Sequence, residues 1–390
     1  MNFDLTAEQL SIRDAVQDLC SHFPESYWRD RDQDGVFPHA FYEAMGAAGW
    51  LGIAIPEAYG GAGLGVQEAA LMMQTIAESG ACLSGCSAVH INVFGLMPVA
   101  VFGTEEQKRR MLPPMARGEV KSCFAVTEPD AGLNTTQLKT RAVRQGDKYV
   151  VHGQKVWIST AQVADKMLLL ARTTPLEDLP PGRQSGGLSL FYTDLDRGRV
   201  DVRVIDKMGR KCVDSNELFI DGLEIPVEDR IGEEGQGFRY ILHGMNPERV
   251  LLAAEAVGVG RIALQKASAY ARERVVFGRP IGQNQSIQHP LAQNWVELEA
   301  AELLTRKAAW LYDNGRECGA EANAAKYFAA EAGFRACERA ILTHGGMGYS
   351  KEFHVERYLR EIMITRIAPV SAELILSHIA ERVLGQPKSY

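Results

Sequence analysis

Gly258-Val-Gly260-Arg-Ile-Ala263 is the stretch whose residue types and spacing offer chemistry most openly. It spells GxGxxA, a pattern that can bring helix amides against a pyrophosphate. That chemistry needs a strand before the first glycine and a helix opening after it. Here the pattern lies in the middle of a helical run, where small residues instead let a neighbouring helix approach. No GxSxG elbow and no GxxxxGK[ST] loop occurs, so a serine-hydrolase or P-loop reading lacks support. The seven cysteines, Cys20, Cys82, Cys86, Cys123, Cys212, Cys318 and Cys337, are scattered and form no CxxC. They read as reduced, intracellular thiols, with Cys82 and Cys86 packing one helical turn apart. The nine histidines include no HExxH and no tight ligand pair, so no metal site is expected.

The elements that must position a site follow from periodicity. Thr6 and Gln9 have capping-box spacing ahead of a segment carrying Leu10, Ile12, Val16 and Leu19. Helical patterning continues to about residue 120, interrupted at Pro56 to Gly61 and at Pro113-Pro114. Short β-branched or alternating runs then appear at 122–126, 138–143, 149–151, 166–171, 188–192, 200–205 and 217–220. Thr173 to Gly187 reads as an exposed Pro/Gly loop among them. From Asn246 the helical period returns, with Asn246 placed as N-cap and Pro247 at the first helical position. Leu251, Ala254, Gly258 and Ile262 form one stripe down a long helix. Further helices are expected near 285–313, 318–343, 352–366 and 371–384. The predicted organisation is an N-terminal helical domain (1–120), a middle β domain (121–233) and a C-terminal helical bundle (234–390).

Size and charge bound the function. A chain of 390 residues with 46% apolar content exceeds one hydrophobic core. Its net charge of -7 gives no basic footprint for nucleic acid or an anionic membrane. The sequence holds no unbroken run of eighteen apolar residues, so no transmembrane helix is expected. Its first ten residues lack the pattern of a signal or transit peptide. The cytoplasm is the expected location, or the mitochondrial matrix if a transit peptide has been removed.

Three stretches, in order, resemble the acyl-CoA dehydrogenase family. One is Cys123-Phe-Ala-Val-Thr-Glu-Pro-Asp-Ala-Gly132 with Lys155-Val-Trp-Ile-Ser159. The second is Arg272-Glu-Arg274-Val-Val-Phe277-Gly278-Arg-Pro-Ile281 with Gln285. The third is His344-Gly345-Gly346-Met-Gly348-Tyr349 with Val355-Glu-Arg-Tyr-Leu-Arg360. The resemblance covers nearly the whole chain. It implies an α+β multidomain fold: N-terminal helices, a middle β-barrel and a C-terminal four-helix-type bundle. It implies FAD between the barrel and the bundle, in a homotetramer.

By the same resemblance, Phe124, Val126 and Thr127 line the isoalloxazine edge, Trp157 covers a ring face, and Ser159 hydrogen-bonds near flavin N5. Arg274, Phe277, Gln285, Gly345 and Gly346 hold the pyrophosphate and adenosine, partly across a subunit interface. The physics suits these roles. An indole is a flat apolar wall, arginine forks onto phosphate, and paired glycines let backbone come close. The implied reaction is α,β-dehydrogenation of an acyl-CoA thioester to the trans-2-enoyl-CoA, with electron-transfer flavoprotein as acceptor.

That reaction needs a carboxylate to take the α proton while hydride leaves the β carbon for flavin N5. Much of the family carries it in a C-terminal Tyr-Glu-Gly-Thr segment. Here Ala368-Pro369-Val370-Ser371 stands there, and Pro369 occupies the Glu position. The isovaleryl and long-chain branches place the Glu at the start of the long C-terminal helix, directly before an Arg. Glu248-Arg249 matches that arrangement, which makes Glu248 the candidate base. Alone, Glu248 reads as an ordinary helix-start acid, favoured by the dipole.

Pro369 also lacks the amide that would bind the thioester oxygen; either a neighbouring amide such as that of Val370 replaces the contact, or the oxyanion site is weaker or serves an unusual ligand. Leu133 stands where the family often has a serine near the CoA arm, and Leu342 where a Gln commonly meets the adenosine. With Arg249, Pro369 and Val370, Leu133 completes the expected substrate contacts. The competing readings are an acyl-CoA oxidase and a flavin-binding member without dehydrogenation.

Overall fold

A computed structural model describes residues 4–389. The chain begins with helices α1 (Ala7–Ser21), α2 (Glu25–Asp34), α3 (His39–Ala47), α4 (Val66–Ile76), α5 (Cys82–Phe94), α6 (Met97–Phe102) and α7 (Glu105–Ala116). Thr6 forms the expected capping box: its side chain accepts from the Gln9 amide, and the Gln9 side chain accepts from the Thr6 amide. Two amides that a helix start otherwise leaves open are thereby satisfied.

Val66–Phe102 is long and apolar enough to cross a membrane, its most apolar eighteen-residue window having a mean hydropathy of 1.6, which the absence of an unbroken apolar run did not suggest. Its most apolar window is 61% buried inside the protein. Gly80, at φ +93, breaks the helix between α4 and α5. Met72, Met73, Ile76 and Val89 from the two halves are core residues.

The β domain holds β1 (Ser122–Ala125), β2 (Arg141–Gln145), β3 (Lys148–Ser159), β4 (Lys166–Arg172), β5 (Leu188–Asp194), β6 (Val200–Val204), β7 (Ser215–Pro226) and β8 (Arg230–Ile231). Their order is β6-β7-β3-β2-β4-β5-β8, with β1 parallel to β4. Among the described residues this path has two ends, at β6 and β8. The sheet packs around its own core, which includes Tyr149, Leu169, Phe191 and Ile225. β3 and β7 run longer than the alternation suggested, through two irregularities in their shared register. Leu138 lies outside β2 and is buried after a short turn, Thr135–Gln137.

The C-terminal helices are α8 (Gly237–His243), α9 (Met245–Glu273), α10 (Gln285–Asp313), α11 (Gly319–His344), α12 (Val355–Ile362) and α13 (Ala372–Arg382). A hairpin of β9 (Val275–Val276) and β10 (Arg279–Pro280) joins α9 to α10. Asn246 does not cap α9 as expected. Gly244 keeps helical angles, so α8 runs almost directly into α9 and Asn246 and Pro247 fall inside its first turn. Pro247 is tolerated because amides there have no intrahelical acceptor.

The GxGxxA stretch lies within α9 and serves packing. A Cβ on Gly258 would sit 2.4 Å from the Gln74 carbonyl oxygen on α4. One on Gly260 would sit 2.5 Å from Leu298 Cδ2 on α10 and 3.0 Å from Gly333 Cα on α11. These glycines let α9 run between three helices, so one core joins the N- and C-terminal helices. That contact brings α5 against the first half of α9.

Candidate functional site

Glu248 lies in the first turn of α9, and Glu255 follows seven residues later on the same face. His90 of α5 fills the space between them. Its Nε2 is 2.6 Å from Glu248 Oε2 and its Nδ1 is 2.5 Å from Glu255 Oε1. The side chain of Glu255 is 1% accessible, against 12% for Glu248 and 13% for His90. The pair therefore opens toward solvent at Glu248. Burial alone would discharge the ring. The two carboxylates outweigh it and raise His90 from 6.5 to about 10. His90 is then an imidazolium donating from both nitrogens, and such charge-assisted bonds are short.

The α5 face continues toward the β domain. The His90 and Phe94 rings are 4.9 Å apart, and Phe94 lies 5.4 Å from Phe124 on β1. Phe124 is half-buried and packs against two of the three cores. Beyond β1, the Val126 carbonyl accepts from Lys155 Nζ at 3.0 Å, and the Thr127 carbonyl accepts from the Val156 amide at 3.0 Å. Glu128 locks this segment to β3. Its carboxylate accepts from Lys155 Nζ and from the amides of Lys139 and Thr140. Burial pushes the Lys155 ammonium down to about 8, with Glu128 opposing the shift.

Trp157 sits in the register irregularity of β3, at φ +62. Its indole is 57% exposed, an uncommon outcome for a large apolar residue inside a strand. Ser159, half-buried, ends β3 opposite Ser215. Phe124, Val126, Thr127, Trp157 and Ser159 are thus gathered on β1, the segment after it and the end of β3. The wide apolar face beside polar backbone fits a large planar ring system.

The other expected cofactor residues gather elsewhere. Arg274 follows the last residue of α9, about 39 Å along the helix from Glu248 at 1.5 Å per residue. Phe277 is fully exposed at the hairpin tip, and Gln285 is the exposed first residue of α10. Gly345 and Gly346 follow α11, where an added Cβ would meet nothing within 4 Å. Tyr270 stacks on His344 at 4.3 Å, tying this end of α9 to the end of α11. An exposed arginine and open glycine backbone each suit a phosphate-bearing group. One chain therefore does not bring its two expected cofactor sets together.

Of the expected substrate contacts, Arg249, Pro369 and Val370 gather around Lys326, within electrostatic reach of Glu248, and Leu133 lies apart. Arg249 Nη1 donates to the Met245 carbonyl at 3.3 Å and to Asn246 Oδ1 at 3.1 Å, so it secures the start of its own helix. Pro369 is half-buried, and the Val370 carbonyl accepts from buried Lys326 Nζ at 2.6 Å. Burial, with nearby Arg249, pushes Lys326 down to about 8. Leu133 is 54% exposed on the loop after β1.

Sequence reasoning missed His90, Glu255, Lys155 and Lys326. The signal for the first two was present: a His and a Glu inside otherwise apolar helical runs need buried partners.

Three family models match the chain: "Acyl-CoA dehydrogenase, N-terminal domain" over residues 6–119, "middle domain" over 123–223 and "C-terminal domain" over 235–384. The chain is 36% identical to acyl-CoA dehydrogenase FadE12 of Mycobacterium tuberculosis over all of this chain and 99% of that one. It is 35% identical to cyclohex-1-ene-1-carbonyl-CoA dehydrogenase of Geobacter metallireducens, over 93% and 94% of the two chains. The solved butyryl-CoA dehydrogenase of Megasphaera elsdenii superposes with a TM-score of 0.93 at 28% identity, covering 98% of this chain and all of that one.

Proposed function

This chain belongs to the acyl-CoA dehydrogenase family of flavoprotein oxidoreductases, and we propose that Glu248 is the base that takes the α proton of an acyl-CoA thioester. The observation that carries this reading is the carboxylate of Glu248, partly open and held by charged His90 at 2.6 Å. A carboxylate held in one orientation and open on one side is what proton abstraction beside a carbonyl requires. The alternative family position holds Pro369, which cannot accept a proton.

FAD, when bound, supplies the acceptor for the hydride leaving the β carbon. Trp157 and Phe124 would wall the ring system and exclude water. Ser159 and the backbone around Val126 and Thr127 would orient its polar edge. Arg274, Phe277, Gln285, Gly345 and Gly346 would hold the phosphates and adenosine of the cofactor lying in a neighbouring copy. The separation of the two sets within one chain supports this sharing, and with it a homo-oligomer, a tetramer by resemblance. Electron-transfer flavoprotein is the proposed electron acceptor.

Anaerobic mixing of the holoenzyme with a panel of straight and branched acyl-CoA thioesters tests the reading. Bleaching of the flavin by at least one saturated thioester is expected. Peroxide release in air at the turnover rate would favour an oxidase. No bleaching by any thioester would contradict dehydrogenation.

A further inference from the structure

The clamp on Glu248 has a consequence for how the base works. His90 comes from α5, while both carboxylates come from one face of α9. Glu255 is buried and bonds Nδ1, so the ring cannot swing away without leaving that carboxylate uncompensated. Nε2 is thereby fixed toward Glu248. Other charges surround the group. Arg210, from the loop between β6 and β7, donates to Ser87 Oγ one turn before His90 on α5. Arg210 lies within electrostatic reach of Glu248, Glu255 and Glu361. Arg249 and Lys326 lie within electrostatic reach of Glu248, and the neutral thiol of Cys86 is near Glu255.

Resting on Glu248 as the base, we propose that His90 is a positioning residue. Its Nε2 fixes the orientation of the Glu248 carboxylate, and buried Glu255, bonded to Nδ1, holds the ring in place. A base held in one geometry spends less of its time turned away from the proton it must take.

The test compares wild type, His90→Gln, Glu255→Gln and Glu248→Gln holoenzymes, using the thioester that bleaches the wild-type flavin fastest. In His90→Gln kcat should fall about tenfold or more, while KM for the thioester and flavin content stay within about twofold. A merely structural role would lower the melting temperature or the flavin content together with kcat. An unchanged kcat in a folded, flavin-loaded His90→Gln overturns the proposal.

Nitrogen NMR of histidine-labelled protein gives a readout independent of turnover and of the folding of His90→Gln. Wild-type His90 should show both nitrogens protonated at pH 8. In Glu255→Gln the midpoint should fall by about one unit or more. A neutral ring at pH 8, or an unmoved midpoint, also overturns the proposal. If Glu248→Gln keeps full activity, the assignment of the base has failed instead.

Discussion

Glu248 and His90 stand 158 positions apart in sequence, and their side chains meet at 2.6 Å. The contact exists because α9 passes close to α4 and α5. Gly258 allows that approach, having only the space its hydrogen needs beside the Gln74 carbonyl. A packing feature of the long helix thus brings a cation from the N-terminal helices to the proposed base.

Gly258→Ala should therefore destabilise the protein. A Cβ would lie 2.4 Å from the Gln74 oxygen and 2.7 Å from Ala77 Cβ, and backbone must move to admit it. Overpacking of this kind costs about 1–3 kcal/mol. Urea unfolding of the variant should show the loss. A variant as stable as wild type would mean that the helices are not so closely pressed.

Arg357 and Glu361 should be far more sensitive than surface pairs. Their side chains are 2% and 0% accessible and meet at 3.0 Å. Arg357 Nη2 also donates to the Gly80 carbonyl, and Glu361 accepts from the amide and hydroxyl of Ser84. Arg357→Met would leave a buried carboxylate without its cation, a loss of roughly 3–5 kcal/mol. Thermal and urea unfolding would measure it. A change below about 1 kcal/mol would contradict the buried-pair reading.

The pH dependence of stability should carry the mark of His90. Its folded value, about 10, lies above the ordinary 6.5. The folded state therefore binds the proton more tightly than the unfolded state does. That contribution is fully present below pH 6.5 and is lost as pH rises toward 10. The stability gap between wild type and His90→Gln, measured in urea from pH 6 upward, should narrow along that path. A gap independent of pH would contradict the charged ring.

Trp157→Ala should release flavin without unfolding the chain. The indole is more than half exposed, so the core loses little. The ratio of flavin to protein absorbance after gel filtration should fall, while the melting temperature of the flavin-free protein stays unchanged. Full flavin retention would remove Trp157 from the proposed ring wall.

Much of the fold was legible because periodicity is local. Thr6 with Gln9 marked a helix start, and the β-branched runs marked most strands to within a few residues. Asn246-Pro247 misled because cap chemistry was read without α8, which feeds a helical backbone straight into α9. β3 was underestimated because Gly153 and Trp157 interrupt its alternation, the second at the very irregularity that exposes the indole. Glu248 was found through its place in the family pattern. Its partner was not, because His90 and Glu255 become a site only when two distant helices pack. The family pattern already divided the expected cofactor residues into two sets, the second partly across a subunit interface. The length of α9 separates them.

Rapid mixing of Glu248→Gln with the thioester that best bleaches the wild-type flavin tests the central claim most directly. The variant should keep its flavin and bind the thioester, and bleaching should slow by a factor on the order of 10²–10⁴. Bleaching within a few-fold of the wild-type rate would show that another group takes the proton.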